Sequence, residues 1–344
     1  MTEKDLSLKK VSGSEFVSLQ NSEGQEWEKA FGPSLNVFQD SWRKLRKNKG
    51  AVISSFVLFV FILISILSIW WTPANPIKQN ADYSYLPPKI YGSTLNGLNG
   101  TALVAGKRVD VYKKAGVPSD INYVFGTDKF GRDVLSRLMV GIRNSLTIAF
   151  VYVLLVLAIG VTFGLMSGLY GGRIDLVMQR IIEIISGIPN LVVMVLLLLV
   201  LQPGIFSIIC SMAITGWTSM ARVVRAQTLK LRSEEFVLAA RTLGENNLII
   251  AVKHILPNIL GLIIIQIMFS VPSAIFFEAF LSFIGLGLPA PIPSLGTMLN
   301  DGYQTFLYMP YLMWIPAVAL SILMICFNLL ADGLRDAFDP KMEN

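Results

Sequence analysis

Long apolar runs alternate with charged segments along this chain, and the runs are long enough to cross a membrane. A helix needs about 20 residues to span the hydrocarbon core of a bilayer. Residues 51–71 form the first such run and end in a pair of tryptophans, which suit the membrane interface. No charge occurs between Arg143 and Arg173, which places a second span near 145–168. The pattern therefore predicts helices that cross a membrane.

A third apolar run, residues 184–221, is too long for a single crossing. A Gln-Pro-Gly turn at 202–204 divides it, so the run predicts a hairpin of spans three and four, with a kink at Pro189. Spans five and six follow at about 258–284 and 309–331. The chain is therefore predicted to be an all-α integral membrane protein with six transmembrane helices.

The positions of lysine and arginine predict the orientation, because cytoplasmic segments are enriched in them. The first 50 residues hold nine and the loop 222–257 holds six, which predicts that both termini and this loop are cytoplasmic. Residues 72–143 hold ten, but long loops translocate largely regardless of charge. The predicted segments are a cytoplasmic tail 1–50, a first span 51–71, an extracytoplasmic loop 72–143, a five-helix core 144–335 and a cytoplasmic tail 336–344.

Composition agrees with a membrane protein. Hydrophobic residues make up 53% of the chain and charged residues 15%, and the mean hydropathy is +0.59. A soluble domain averages about 25% charged residues. Both cysteines, Cys210 and Cys326, lie in apolar runs, and His254 is the single histidine. These residues supply no ligand set for a metal, so neither a metal site nor a cofactor is expected.

The polar segment 233–257 lies between two long apolar runs. Such a segment is either exposed in a loop or lines an aqueous path. Ser233 is predicted to cap a helix, Glu235 places negative charge in the first turn, and Arg241 falls in the last turn. Gly244 then sits where a glycine ends a helix. The segment therefore predicts a short helix followed by a glycine corner.

The second half of this segment completes a docking element. Ala239 and Ala240 leave a shallow spot in the middle of the first helix, which another protein surface can approach closely. Asn246 is predicted to start a second short helix, and Pro257 to end it just before the next apolar run. A short helix, a glycine corner and a second short helix together indicate a surface for a protein partner.

The spacing from the alanine pair through the glycine to the Leu-Pro at 256–257 resembles the "EAA" loop of ABC-importer membrane subunits. In that family this loop is the coupling helix that docks onto a cytoplasmic ATPase. The family often has glutamate before the two alanines and isoleucine near the end of the loop, where this chain has Leu238 and His254. The peptide-importer branch is similar in both respects.

Four further stretches resemble the C-type subunit of oligopeptide and dipeptide ABC permeases. Together with the loop they occur in the family's order, from about residue 125 to 340. They are Phe-Gly-Thr-Asp-x-x-Gly-Arg-Asp at 125–133 continuing as Leu-Ser-Arg at 135–137, Tyr-Gly-Gly at 170–172 followed by Asp175, Leu-Ser-Phe-Ile-Gly-Leu-Gly-Leu at 281–288, and Asn-Leu-Leu-Ala-Asp-Gly-Leu-Arg-Asp at 328–336 followed by Asp-Pro at 339–340.

This resemblance implies a type I ABC-importer permease fold with one extra N-terminal span, in a bacterial plasma membrane. It implies a permease that moves dipeptides or oligopeptides, or alternatively nickel or another small solute. The implied partners are a homologous B-type permease subunit, two cytoplasmic ATP-binding subunits and an extracellular peptide-binding protein. Ala239, Ala240 and Gly244 are expected to set the fit to the ATPase, and Glu235 and Arg241 to make its polar contacts.

Glu278 lies within the fifth predicted span and divides the otherwise uncharged stretch 255–300 almost evenly. An intramembrane carboxylate costs roughly 2.5 kcal/mol or more near the bilayer centre, so it faces the bundle interior or a water-filled cavity. Two interpretations follow. The residue contacts peptide in a translocation path, or it is a packed, hydrogen-bonded glutamate that holds the span to its neighbour.

The outer motif at 125–133 also has two interpretations. Asp128 is predicted to accept hydrogen bonds from the amides that follow it, and Arg132 and Asp133 to anchor the loop at the membrane surface. The alternative is direct contact with peptide. The whole segment 72–143 is either a solvated loop or a contact surface for an extracellular partner.

An ATPase-independent secondary transporter is the competing class. It would show inverted repeats and intramembrane charge pairs for ion coupling, and the sequence shows neither. A Gly-x-x-x-x-Gly-Lys-Ser/Thr motif is absent, so the chain is not expected to be an enzyme that hydrolyses ATP. The basic cluster before the first span suits anionic membrane lipid rather than nucleic acid.

Overall fold

The structure is a computed structural model that describes residues 37–338, apart from 94, 96, 105 and 106. The predicted N-terminal tail up to residue 36 and the Asp-Pro pair at 339–340 lie outside the described residues. The helices are α1 Val37–Lys47, α2 Lys49–Trp70, α3 Val111–Lys114, α4 Val134–Tyr170, α5 Gly172–Ser186, α6 Asn190–Leu201, α7 Ile205–Leu231, α8 Glu235–Thr242, α9 Asn247–Phe283, α10 Leu295–Gln304 and α11 Tyr311–Phe338.

Five of these helices, α2, α4, α7, α9 and α11, are long and apolar enough to cross a membrane. The pair α5 and α6 passes the same test only as a unit, because the two helices meet at an angle of 78°. The predicted all-α membrane class is confirmed, with six spans when the bent pair counts as one. The predicted turn at 202–204 separates α6 from α7.

The break in the third span is sharper than the predicted kink. Pro189 lies between α5 and α6 with an extended backbone, φ −56° and ψ 125°. A proline has no amide hydrogen to continue the hydrogen-bond ladder of α5, and its ring clashes with the preceding turn. The amide of Gly187 closes α5 instead, on the carbonyl of Glu183 at 2.9 Å. The chain therefore restarts in a new direction at Asn190.

Helix α4 begins at Val134, well before the uncharged stretch from which the second span was predicted. Asp133 caps its N-terminus and accepts from the amide of Ser136 at 2.9 Å. Two arginines fall inside the first turns of the helix, and both have partners. The Arg143 guanidinium, for example, donates to the carbonyl of Ser68 at the end of α2, at 2.9 Å. The helix therefore extends beyond the uncharged run, because the charged residues at its start have partners.

Three glycines spaced by four residues bring α4 against α7. A Cβ at Gly164 would lie 2.7 Å from the carbonyl oxygen of Ala221 and from Cβ of Val224. Gly160 meets Met220 and Gly168 meets Thr228 in the same way. Lipid supplies no hydrophobic drive for helix association, so close backbone approach at small residues has to provide the contact. This pair forms the centre of the helical core.

The predicted extracytoplasmic loop is a small folded unit rather than an open connector. A two-stranded antiparallel sheet pairs β1 (Thr101–Val104) with β2 (Lys107–Asp110), and α3 follows directly. Tyr112 on α3 is buried, and its hydroxyl donates to the carbonyl of Pro87 at 2.9 Å. The unit is therefore packed around one aromatic side chain and stands on the start of α4.

We expect Gly164→Leu to destabilise the core by roughly 1–3 kcal/mol, because the side chain overlaps the α7 backbone. Thermal unfolding of the protein in detergent measures the loss. The matched control is Ala158→Leu, which adds a similar side chain to an exposed position of the same helix. Equal melting temperatures for the two variants would contradict the proposed role of the glycine contact.

Candidate functional site

The predicted glycine corner ends α8 where the sequence indicated. Gly244 has a positive φ of 85°, which a glycine adopts without steric cost. Its amide donates to the carbonyl of Arg241, and the amide of Glu245 donates to the carbonyl of Ala240, both at 3.1 Å. These two bonds satisfy carbonyls at the end of α8 and fix the direction in which the chain turns.

Ser233 does not cap α8, and this prediction is wrong. Its hydroxyl donates to the carbonyl of Lys230 at 2.9 Å, so it closes the end of α7. Glu234 occupies the cap position of α8 without a side-chain capping bond. Only a few residues join α7 to α8, and Arg232 within them donates to the carbonyl of Gly168 at 3.0 Å. The hairpin therefore starts from a connection that is fastened to α4.

The second helix of the hairpin does not end at Pro257, contrary to the prediction. It begins after Asn246, passes through a π-helical turn at Ile250–Ile255 and continues as the rest of α9. The amide of Leu256 donates to the carbonyl of Ala251, five residues back. A proline cannot donate an amide hydrogen and crowds the carbonyl four residues before it, so a widened turn accommodates it. The hairpin is thus continuous with the fifth span.

The two alanines of α8 differ in burial, because consecutive residues of a helix point about 100° apart. Ala240 is only 5% exposed and packs into the transmembrane core with Val237. Ala239 is exposed, as are the side chains of Glu235 and Arg241. Only Ala239 of the pair is therefore on a face that a partner can reach, whereas Ala240 holds α8 against the membrane helices.

The corner between α8 and α9 presents apolar side chains to its surroundings. Leu243 is 85% exposed and Leu248 is 72% exposed, and Val252 is exposed nearby. Glu235 and Arg241 provide charges on the adjacent helix. An apolar group rimmed by polar residues is typical of an interaction surface.

Glu245 braces the corner from within. One carboxylate oxygen lies 2.6 Å from Nε2 of His254, and the other accepts from Nζ of Lys253 at 3.2 Å. The hydrogen bond to His254, followed by that to Lys253, holds the pKa of Glu245 below its usual value. The single histidine therefore closes the hairpin. Sequence reasoning missed this pairing, because nine residues across a glycine corner correspond to no helical or strand period.

A second ion pair ties the hairpin's base to the start of α5. Arg225 on α7 binds Asp175 with two parallel bonds, Nε to Oδ1 at 2.5 Å and an Nη to Oδ2 at 2.6 Å. The hydroxyl of Ser167 on α4 also donates to Asp175, and Gln179 donates to that hydroxyl at 3.1 Å. The bidentate geometry fixes three helices relative to one another. The resemblance to known permeases marked Asp175 but gave it no partner.

Glu278 is fully buried and held by serine hydroxyls. Ser145 on α4 donates to Oε2 at 2.7 Å, and Ser282 on α9 donates to Oε1 at 2.8 Å. Ser145 in turn accepts from the amide of Leu295, the first residue of α10, at 3.3 Å. The Ser294 hydroxyl lies 3.4 Å from that of Ser282. The arrangement fits a packed glutamate that joins α4, α9 and α10.

The outer motif forms a compact charge cluster at the other end of α4. Asp128 accepts from the amides of Phe130 at 2.9 Å and Arg132 at 3.0 Å, as predicted. Its second oxygen binds Nε of Arg132 at 2.7 Å and lies 3.3 Å from Nε of Arg137. Asp301 on α10 completes the cluster from far along the chain. Sequence reasoning identified the first part and missed Asp301.

The chain matches two protein-family models. Residues 160–344 match the binding-protein-dependent transport system inner membrane component. Residues 36–88 match the N-terminal transmembrane domain of oligopeptide transport permease C. Among solved structures, a chain of the MetNI methionine ABC transporter in an inward-facing conformation is similar, with a TM-score of 0.49 and 20% identity over 58% of this chain and 95% of that one.

Relatives of known name are similar over nearly the whole length. The dipeptide transport system permease protein DppC of Lactococcus lactis subsp. cremoris is 46% identical over 95% of this chain and 97% of that protein. The oligopeptide transport system permease protein OppC of Bacillus subtilis is 40% identical over 92% and 93%. The chain therefore belongs to the family of binding-protein-dependent transport system inner membrane components, as a multi-pass permease subunit of the OppC/DppC branch.

Proposed function

We propose that this permease moves dipeptides or short oligopeptides into the cell. The observation that carries the proposal is the identity of 46% to a dipeptide permease over 95% of the chain. Permease subunits of this family are not themselves catalytic, and ATP is hydrolysed by separate subunits. The work of this chain is therefore mechanical, since it offers a path and changes shape when its partners close on ATP.

The hairpin formed by α8 and the start of α9 is the proposed ATPase-docking element. Ala239, Glu235 and Arg241 lie on its open face, and Leu243 projects from the corner. Ala240 and Gly244 act indirectly, because one seats α8 on the core and the other sets the angle of the corner. Pro257 lies in the first turn of the regular part of α9, which begins at Leu256 beyond the π-helical turn.

The connections of the hairpin to α7 and α9 are suited to transmit a displacement of the hairpin to the membrane helices. The chain enters through the short link after α7, which Arg232 and the Asp175–Arg225 pair fasten to α4 and α5. It leaves without interruption into α9. Packed elements with hydrogen-bonded ends move as units, so displacement of α8 is passed to several spans rather than absorbed locally.

The proposed complex contains a homologous B-type permease, two cytoplasmic ATP-binding subunits and an extracellular peptide-binding protein. We place both termini and the hairpin in the cytoplasm and the unit around Tyr112 outside. Support comes from the basic residues in the last turn of α1, beside the start of the first span, and from the six lysines and arginines of 222–257.

Uptake by the purified complex tests the function. We expect the chain, solubilised from its native membrane, to bring with it a second permease and P-loop ATPases, identified by mass spectrometry. We then expect the complex, reconstituted into vesicles with its binding protein outside and its ATPases facing inward, to accumulate labelled dialanine only when ATP is enclosed in the vesicles. ATP-driven uptake of nickel but not dialanine would contradict the peptide assignment. Solute movement by the chain alone would indicate a secondary transporter.

We expect Gly244→Val to abolish ATP-driven uptake, because a β-branched residue at φ 85° strains the corner although nothing lies within 4 Å of the new side chain. Co-purification of the ATPases measures docking directly and should fall with uptake. The matched control is Gly116→Val, at φ 66° and equally open, in the unit at the other end of the molecule. Normal uptake by the Gly244 variant would exclude the hairpin as the coupling element.

The substitution Glu278→Gln distinguishes the two interpretations of Glu278. If the carboxylate is a packed link, the amide keeps its shape and most of its hydrogen bonds, and we expect at least half of wild-type uptake. Glu278→Ala should lower the melting temperature, because the hydroxyls of Ser145 and Ser282 lose their buried partner. A Gln variant that assembles normally but transports nothing would instead support a charge in the translocation path.

A further inference from the structure

A polar cleft opens at the end of the molecule opposite the hairpin, beside the start of α4, the end of α9 and α10. Its volume is about 270 Å³. That is slightly smaller than the sites that enclose whole drug-sized ligands, so it suits one end of a larger molecule. The charged and polar groups that line the cleft include those of Lys129, Arg132, Arg137, Thr297, Asn300 and Asp301.

Three cations in this cleft converge on the single carboxylate of Asp301. Nζ of Lys129 lies 2.9 Å from one oxygen. Guanidinium nitrogens of Arg137 and Arg132 lie 3.5 and 3.7 Å from the other. Asp301 thus occupies a site that is built for an oxyanion, since ammonium and paired guanidinium groups are the usual protein partners of carboxylates.

The two arginines are held in place independently of Asp301. The side chains of Arg132 and Arg137 are 3% and 4% exposed and both bind Asp128. Arg137 also donates to the carbonyl of Pro291 at 3.3 Å. If Asp301 turned away, both arginines would keep Asp128, and Arg137 would also keep the carbonyl of Pro291. The site is therefore preorganised, and a preorganised site loses little free energy on binding.

Asp301 is more exposed than the arginines it pairs with. Its side chain and that of Lys129 are each 28% exposed, so both reach the open side of the cleft. Among the five charged side chains that contact one another here, three are positive and two are negative. An incoming carboxylate would replace Asp301, whose own carboxylate can then be solvated.

The cleft is also lined by small and apolar residues, among them Gly285, Gly287, Leu288 and Ile292. Residues of this kind accept a neighbouring side chain without a specific polar contact. Cations that bind a carboxylate, together with an apolar lining, match the last residue of a peptide.

We propose that this cleft binds the C-terminal carboxylate of the peptide cargo, which takes the place of Asp301 on Lys129, Arg132 and Arg137. This proposal rests on the proposed function and adds a contact made by the permease itself. The carboxylate is the one charged group that every unmodified peptide carries at that end, so recognition there admits peptides of any sequence. It also selects free peptides over those blocked at the C-terminus.

Equilibrium binding of labelled dialanine to the purified complex, without its binding protein, tests the proposal. We expect unlabelled dialanine to compete and dialanine amide not to compete. Lys129→Gln should weaken binding roughly fivefold, the effect of removing one charge-assisted contact, and Lys129→Arg should restore it. The matched control, Lys113→Gln, removes a lysine that also pairs with an aspartate but is 87% exposed and remote in the chain.

Asp301→Asn provides the opposite change. Removal of the internal competitor should tighten dialanine binding roughly fivefold, whereas a purely structural ion pair predicts no gain. Absence of dialanine binding to the wild-type complex, equal competition by the amide, or equal binding by the Lys129→Gln and Lys113→Gln variants would each overturn the proposal. Uptake of dialanine by the complete system separates the two ideas, because a complex that transports dialanine while failing these tests remains a peptide importer without this subsite.

Discussion

The contact between α4 and α7 is the constraint on which the other features depend. It exists because Gly160, Gly164 and Gly168 remove the side chains that would separate two helix backbones. In a bilayer such close packing substitutes for the hydrophobic drive that water supplies to soluble proteins. Helix α4 is 37 residues long, and its ends reach both candidate sites. Any displacement of α7 by the hairpin must therefore carry α4 with it or break this contact.

The number and order of the spans could be predicted from the sequence because they follow from local composition. A long uncharged run and a Gln-Pro-Gly turn are readable within a window of some twenty residues. The start of α4 was not readable in this way. Arg137 remains inside the helix because its partners lie outside it, namely Asp128 in the preceding loop and, far along the chain, the carbonyl of Pro291 and Asp301. The position of the bend at Pro189 could be predicted, but its angle could not, because the angle depends on what α6 packs against.

In the candidate site, too, features set by local sequence could be predicted, whereas features set by distant contacts could not. Gly244 was identified because the left-handed conformation at a helix end has a residue preference of its own. Which alanine of the pair faces outward was not readable, because burial of Ala240 depends on the membrane helices beneath α8. The prediction that Pro257 ends the second helix of the hairpin was wrong for a related reason. A proline ends a regular α-helix, but the π-helical turn at Ile250–Ile255 removes the conflict and keeps α9 continuous.

Helix α9, like α4, connects the two ends of the molecule. It starts in the hairpin, passes Glu278 and ends beside the polar cleft. The hydrogen bonds of Glu278 reach Ser145 on α4, and Ser145 reaches the first amide of α10. Asp301 lies on that same short helix. The N-terminus of α10 is fastened to α9 and α4. A shift of either span relative to the loop that carries Lys129 therefore changes the distance from Asp301 to Lys129. The carboxylate site would then be strongest in one conformation of the permease and weaker in the other, which is the behaviour that directional release of a peptide requires.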